Sequence, residues 1–184
     1  MLKTIIVAGT TRSGLTLTMQ ILDLGGYPCF GEYPAYENYE FKKLPWYDAL
    51  GKAIKVVDTN GQLPPKGDYH VICLRRDYEQ QAKSFIKFVY QFRKDISPNK
   101  MLPVIKKSIR KDRIIIEKWA RKQISMVTIN FEDLIKNPLQ CIKRINNSFD
   151  LNLSEKAVNC VIPRSTDCYE GMLEYKLLEL NKNK

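Results

Sequence analysis

Eight consecutive residues near the start of the chain, Gly9-Thr10-Thr11-Arg12-Ser13-Gly14-Leu15-Thr16, bring two glycines, four hydroxyls and one cation together. Such a run can hold a phosphate. Glycines let the backbone curl until successive N–H groups converge, and a helix beginning there adds about half a positive charge at its N-terminus. Gly9, Thr10, Thr11, Arg12, Ser13, Gly14, Leu15 and Thr16 are therefore the candidate nucleotide-binding loop. The ending differs from that of a nucleoside-triphosphatase loop: Gly14-Leu15-Thr16 stands in place of Gly-Lys-Ser/Thr, and the cation comes earlier, at Arg12. That argues against a triphosphate hydrolase or kinase, whereas an early cation still reaches a bridging oxygen or a leaving phosphate. A plain strand-to-helix turn would explain the glycines but not the cation and hydroxyls.

A phosphate loop needs a strand before it and a helix after it. Residues 3–8 form a short β-branched run, and residues 15–24 carry apolar side chains at helical spacing until Gly25-Gly26. Residues 26–48, dense in Tyr, Pro and Glu, read as a surface excursion with one short helix near 36–44. Further strands are expected at 54–57, 70–74 and 126–131, and helices at 78–92, 101–123, 132–149 and 154–161, with a helix start at Ser97-Pro98 and a bend at Pro103. Strands alternating with helices predict a single-domain α/β fold, a P-loop-type parallel sheet flanked by helices on both faces. The domain is expected to span residues 1–176, with 177–184 as a flexible tail.

Composition narrows the function classes. Thirty Lys and Arg against 20 Asp and Glu give a net charge of +10, a field that attracts phosphate-rich or sulfated partners or an acidic surface. The five cysteines are scattered with no C-x-x-C pair, and the single His completes no metal site, so neither structural zinc nor a disulfide framework is expected. No apolar run has the length of a membrane span or an export signal, and a reducing, cytoplasmic setting is the expectation.

The loop resembles that of the sulfotransferases that use 3'-phosphoadenosine 5'-phosphosulfate, which runs Gly-x-Pro-Arg/Lys-Ser-Gly-Thr-Thr. Thr11 stands where Pro is common and Leu15 where the first Thr is common. A second landmark is Ile72-Cys73-Leu74-Arg75-Arg76-Asp77-Tyr78 with Ser84 eight positions after Arg76. In that family an Arg and a Ser at this spacing hold the 3'-phosphate, which points to Arg76 and Ser84, with Arg75 as neighbouring alternative. An Arg fork at a strand end and a hydroxyl on the next helix can converge on one phosphate. A third landmark, Phe131-Glu132-Asp133-Leu134 followed by Asn137-Pro138, resembles the late strand-to-helix junction of the family and reads as architectural. Gly25-Gly26-Tyr27-Pro28, Tyr39-Glu40-Phe41 and residues 51–57 are similar to small bacterial or viral members. The resemblance covers roughly residues 3–150.

The resemblance implies a sulfuryl transfer from 3'-phosphoadenosine 5'-phosphosulfate to a hydroxyl or amine, with no metal and with Arg12 stabilising the leaving phosphate. A base must accept the acceptor's proton. Glu32, in a Gly-Glu similar to that of tyrosylprotein-type members, is the first candidate, Glu40 the second and Asp58 the third, each with a solvated carboxylate as the plain alternative. His70, at a strand start, reads as structural or exposed. The acceptor, a small molecule or a glycan, would meet loops at 27–50 and 93–103, where Tyr33, Tyr36, Tyr39, Trp46 and Tyr47 offer either a pocket wall or packing. The basic stretch 100–122 suits a polyanion or plain solubility, with nucleic acid not the expected partner. Arg164 in Ile162-Pro163-Arg164-Ser165 is a late cation for the 3'-phosphate. Two rivals remain at this point, a P-loop nucleotide kinase and a non-catalytic basic nucleotide- or nucleic-acid-binding module; the oligomeric state is open.

Overall fold

The structure is a computed structural model, and it describes residues 2–36, 48–57, 63–93, 95 and 97–162. Four parallel strands make one sheet: β1 (Ile5–Gly9), β2 (Ala53–Val57), β3 (His70–Arg75) and β4 (Ser125–Asn130), in the order β2-β1-β3-β4. The two central strands begin in step, Ile5 opposite His70 and Ala8 opposite Cys73. Their C-terminal ends therefore finish side by side, and Gly9 and Arg75 open onto the same edge of the sheet.

Alternation along each strand divides the core in two, as a period of two requires. Ile5, Val7, Ile72, Leu74, Val127 and Ile129 face one layer, which holds α1 (Leu15–Leu24), α4 (Phe131–Lys136), α5 (Pro138–Phe149) and the 3-10 turn Glu155–Cys160. Ile6, Ala8, Ile54, Val56, Val71 and Cys73 face the other, covered by Ile116 and Ala120 of α3 (Pro98–Ala120). The sheet is thus flanked by helices on both faces, the architecture expected from the sequence. The remaining helix, α2 (Tyr78–Phe92), follows β3 and packs along α3.

Several boundaries differ from expectation for local reasons. The helix expected over 132–149 is two helices, because Pro138 has no N–H to continue the ladder and Asn137 takes a non-helical conformation (φ −135°, ψ 57°) between them. Strand β4 ends at Asn130, one residue early, since Phe131 already starts α4. Helix α3 starts at Pro98, where a first-turn proline costs no hydrogen bond, and it ends at Ala120. The last helical segment, expected at 154–161, is a 3-10 turn. The short helix expected near 36–44 and the tail at 177–184 lie outside the described residues.

Candidate anion and nucleotide site

The loop leaves β1 at Gly9, where close approach decides the residue: a Cβ there would stand 2.5 Å from Ser13 Oγ and 3.2 Å from Leu74 Cβ. The chain then curls so that the Ser13 amide donates to the Thr10 carbonyl at 3.1 Å. Arg12 sits in the left-handed region (φ 68°), a conformation that costs a non-glycine residue about 1 kcal/mol. Gly14 (φ 102°) is also left-handed, and a Cβ on it would meet the Phe131 ring at 2.7 Å, so both its dihedral and its neighbour demand glycine.

Helix α1 begins with no side-chain cap and no acidic residue in its first turn. Its first amides are therefore left for an external acceptor, in the field of the helix dipole. Ser13 is almost wholly buried, and its Oγ has no hydrogen-bond partner among the described residues. A buried hydroxyl without a partner costs about 1–3 kcal/mol, and a bound anion would repay it. The donors present fit a phosphate.

Two of the sequence landmarks converge on this loop. The Arg12 Nε donates to Ser84 Oγ at 3.1 Å, joining the loop to α2 across 72 positions, and the guanidinium stands 5.7 Å from the Phe88 ring centre. Arg76, only 4% exposed, donates from Nη1 to the Arg12 carbonyl at 3.1 Å and stacks 4.3 Å from the centre of the Phe131 ring. The neighbouring Arg75 goes elsewhere: its Nε donates to Glu117 of α3 at 2.8 Å, and that carboxylate raises its pKa. Of the two arginines at the strand end, Arg76 is the one in contact with the loop.

The third landmark supports the other two. Phe131 packs against both Arg76 and Gly14, and Glu132 Oε1 accepts from the Asp77 amide at 3.0 Å. Asp77 in turn caps α2, accepting from the Glu79 and Gln80 amides at 3.0 and 2.9 Å. Leu15 turns its side chain into the core and offers the site only backbone. The Thr10 hydroxyl is likewise drawn inward, accepting from Gln81 Nε2 at 2.6 Å.

Three contributors were not singled out from the sequence as site residues. Lys55, buried on β2, donates to the Ala35 carbonyl at 2.5 Å and to Thr16 Oγ1 at 3.4 Å, which brings a second cation to the start of α1. Gln81 is fully buried beneath the loop. Arg113, read from the sequence as one of the basic surface residues of 100–122, instead stacks 3.9 Å over the Tyr78 ring and donates to Gln81 Oε1 at 3.0 Å. Burial lowers its pKa.

The base candidates fare unequally. Glu32 is exposed on the loop after α1, where its carbonyl accepts from the Tyr36 amide at 2.7 Å. Glu40, Asp58 and Arg164 lie outside the described residues, as do Tyr39, Trp46 and Tyr47. The chain's one His, His70, starts β3 at the opposite end of the sheet, hydrogen-bonded through Nδ1 to Ser125 Oγ at 2.6 Å. A cleft of about 520 Å³ also lies at that opposite end, lined by Leu2, Lys3, Pro28, Leu50 and His70 among others. Depth alone does not mark the cation cluster.

Comparison of the folded chain with solved structures decides the fold. Mouse sulfotransferase SULT7A1 complexed with PAP superposes with a TM-score of 0.54 over 90% of this chain, at 14% identity. Retinol dehydratase, in complex with androsterone and inactive cofactor PAP, gives a TM-score of 0.55 over 88% of the chain, at 15% identity. The chain has the sulfotransferase fold. It spans 63% and 64% of the length of those two proteins. No family model matches the sequence, and no curated protein matches it.

Proposed function

We propose that the chain binds 3'-phosphoadenosine 5'-phosphosulfate and moves its sulfuryl group to a hydroxyl or amine of an acceptor. The observation that carries this reading is the bond between Arg12 and Ser84. It ties the loop suited to the 5'-phosphate to the Arg76–Ser84 pair suited to a second phosphate, as a nucleotide with two separated phosphates requires. The two solved proteins compared above hold PAP, the nucleotide left when the sulfuryl group has gone.

In the reaction the acceptor oxygen or nitrogen bonds to sulfur while the bond from sulfur to the bridging oxygen breaks. The electron pair leaves with the 5'-phosphate, and the acceptor proton passes to a base. Arg12, with the α1 amides and the Lys55 charge beside Thr16, neutralises the charge that grows on the leaving phosphate. Arg stays protonated, so its contribution is electrostatic. Ser84 holds the Arg12 side chain toward α2, and a 3'-phosphate arriving at Ser84 and Arg76 competes for that bond. Glu32 is the described carboxylate assigned as base. The acceptor is a small molecule or a glycan.

Calorimetric titration tests the reading. Binding of 3'-phosphoadenosine 5'-phosphate without magnesium is the expected result. Binding only of ATP with magnesium would favour the kinase, and binding of neither would sink both.

A further inference from the structure

We propose that Gln81 and Arg113 are positioning residues that set the anion-binding shape of the loop without touching its ligand; the inference rests on the nucleotide reading above. Gln81 has both ends of its amide committed. Its Nε2 donates to the Thr10 carbonyl at 3.3 Å, to Thr10 Oγ1 at 2.6 Å and to the Thr11 carbonyl at 2.8 Å. Its Oε1 accepts from Arg113 Nη2 at 3.0 Å.

The chemistry of the partners leaves the amide one orientation. The loop carbonyls only accept and the guanidinium only donates, so the nitrogen must face the loop and the oxygen must face α3. Arg113 thereby dictates which way Gln81 points. It is itself held by the Tyr78 ring and by donation to the Arg76 carbonyl at 2.5 Å. One guanidinium thus braces both halves of the site, the loop through Gln81 and the Arg76 backbone directly.

The effect on the loop follows from peptide geometry. In a trans peptide the carbonyl of one residue and the N–H of the next point in opposite directions. Holding the Thr10 and Thr11 carbonyls toward Gln81 turns the Thr11 and Arg12 amides away from it. Arg76 holds the carbonyl of the next peptide, at Arg12, whose amide partner, the Ser13 N–H, closes the curl on the Thr10 carbonyl at 3.1 Å. The Thr10, Thr11 and Arg12 carbonyls are thus held by Gln81 and Arg76, which Arg113 braces from α3, and this keeps Arg12 in its left-handed conformation.

The test uses the full chain and three variants, Gln81→Glu, Arg113→Met and Arg113→Lys. Each is followed by calorimetry with 3'-phosphoadenosine 5'-phosphate, by amide hydrogen exchange over residues 10–16 without nucleotide, and by thermal unfolding. A glutamate at 81 keeps the Arg113 bond but cannot donate to the loop. It is expected to weaken nucleotide binding about tenfold and to speed loop exchange, with a lowered unfolding midpoint because the loop carbonyls lose their donor. Arg113→Met should shift both readouts the same way, and Arg113→Lys should recover part of each. Unchanged loop exchange and affinity in Gln81→Glu and Arg113→Met would overturn the proposal. Should Gln81→Glu fail to fold, the contrast between Arg113→Met and Arg113→Lys decides by the same readouts. A wild-type protein that ignores the nucleotide ends the functional reading, and loop exchange still decides the clamp.

Discussion

At the N-terminal end of the sheet, polar groups close on one another. Lys3 Nζ donates to the Phe149 carbonyl at 2.5 Å, the Tyr27 hydroxyl donates to the Lys3 carbonyl, Thr4 Oγ1 accepts from the Gly51 amide, and His70 meets Ser125. At the C-terminal end, hydrogen-bonding capacity is left over. Among the described residues Ser13 Oγ has no partner and α1 starts uncapped, and Arg12, Arg76 and Arg113 lie against Phe88, Phe131 and Tyr78. The same strands thus end on one side in polar groups that pair with one another, a seal in hydrogen bonding beside the cleft of about 520 Å³, and on the other in a receptor. Rings hold a guanidinium in place without cancelling its charge, which suits cations that must meet an anion.

Breaking the receptor end should cost the most. Arg76→Ala removes both the charge and the bond to the Arg12 carbonyl, and about a hundredfold loss of affinity for 3'-phosphoadenosine 5'-phosphate is expected by calorimetry. Gly14→Ala forces a Cβ into Phe131 at φ 102°; chemical denaturation should show about 1–3 kcal/mol of lost stability along with weakened binding. Ser84→Ala is milder, about tenfold in affinity with the fold intact, because the Arg12 charge remains.

The seal should answer to pH and leave binding alone. Burial and the nearby Lys3 charge lower the His70 pKa from its ordinary 6.5, so the unfolded chain takes the proton more readily than the folded one. The stabilisation from neutral His70 is complete above the unfolded value and is lost as pH falls through and below it. His70→Gln should flatten the melting temperature between pH 7.5 and 5.5 relative to wild type, and nucleotide affinity at pH 7.5 should not move.

The receptor end was legible in sequence where chemistry is local. Gly9 to Thr16, and Arg76 with Ser84 eight positions on, announce themselves by spacing, and the apolar runs placed all four strands. What holds these residues together was not legible. Lys55, Gln81 and Arg113 meet partners 20 to 71 positions away, and a lone Lys in a strand or an Arg among basic neighbours carries no local mark of burial. Phe131 illustrates the same limit: its motif read as architectural, yet its ring is what Arg76 and Gly14 pack against. The break at Asn137-Pro138 is different, since the proline was in plain view and the apolar periodicity was read across it.

The central claim is that the loop and the Arg76–Ser84 pair read two phosphates of one nucleotide. Comparing adenosine 5'-phosphate with 3'-phosphoadenosine 5'-phosphate, by calorimetry on wild type and on Arg76→Ala, tests it most directly. The account predicts that the 3'-phosphate strengthens binding to wild type by at least about tenfold and adds nothing in the variant. Equal affinity of wild type for both nucleotides would contradict it.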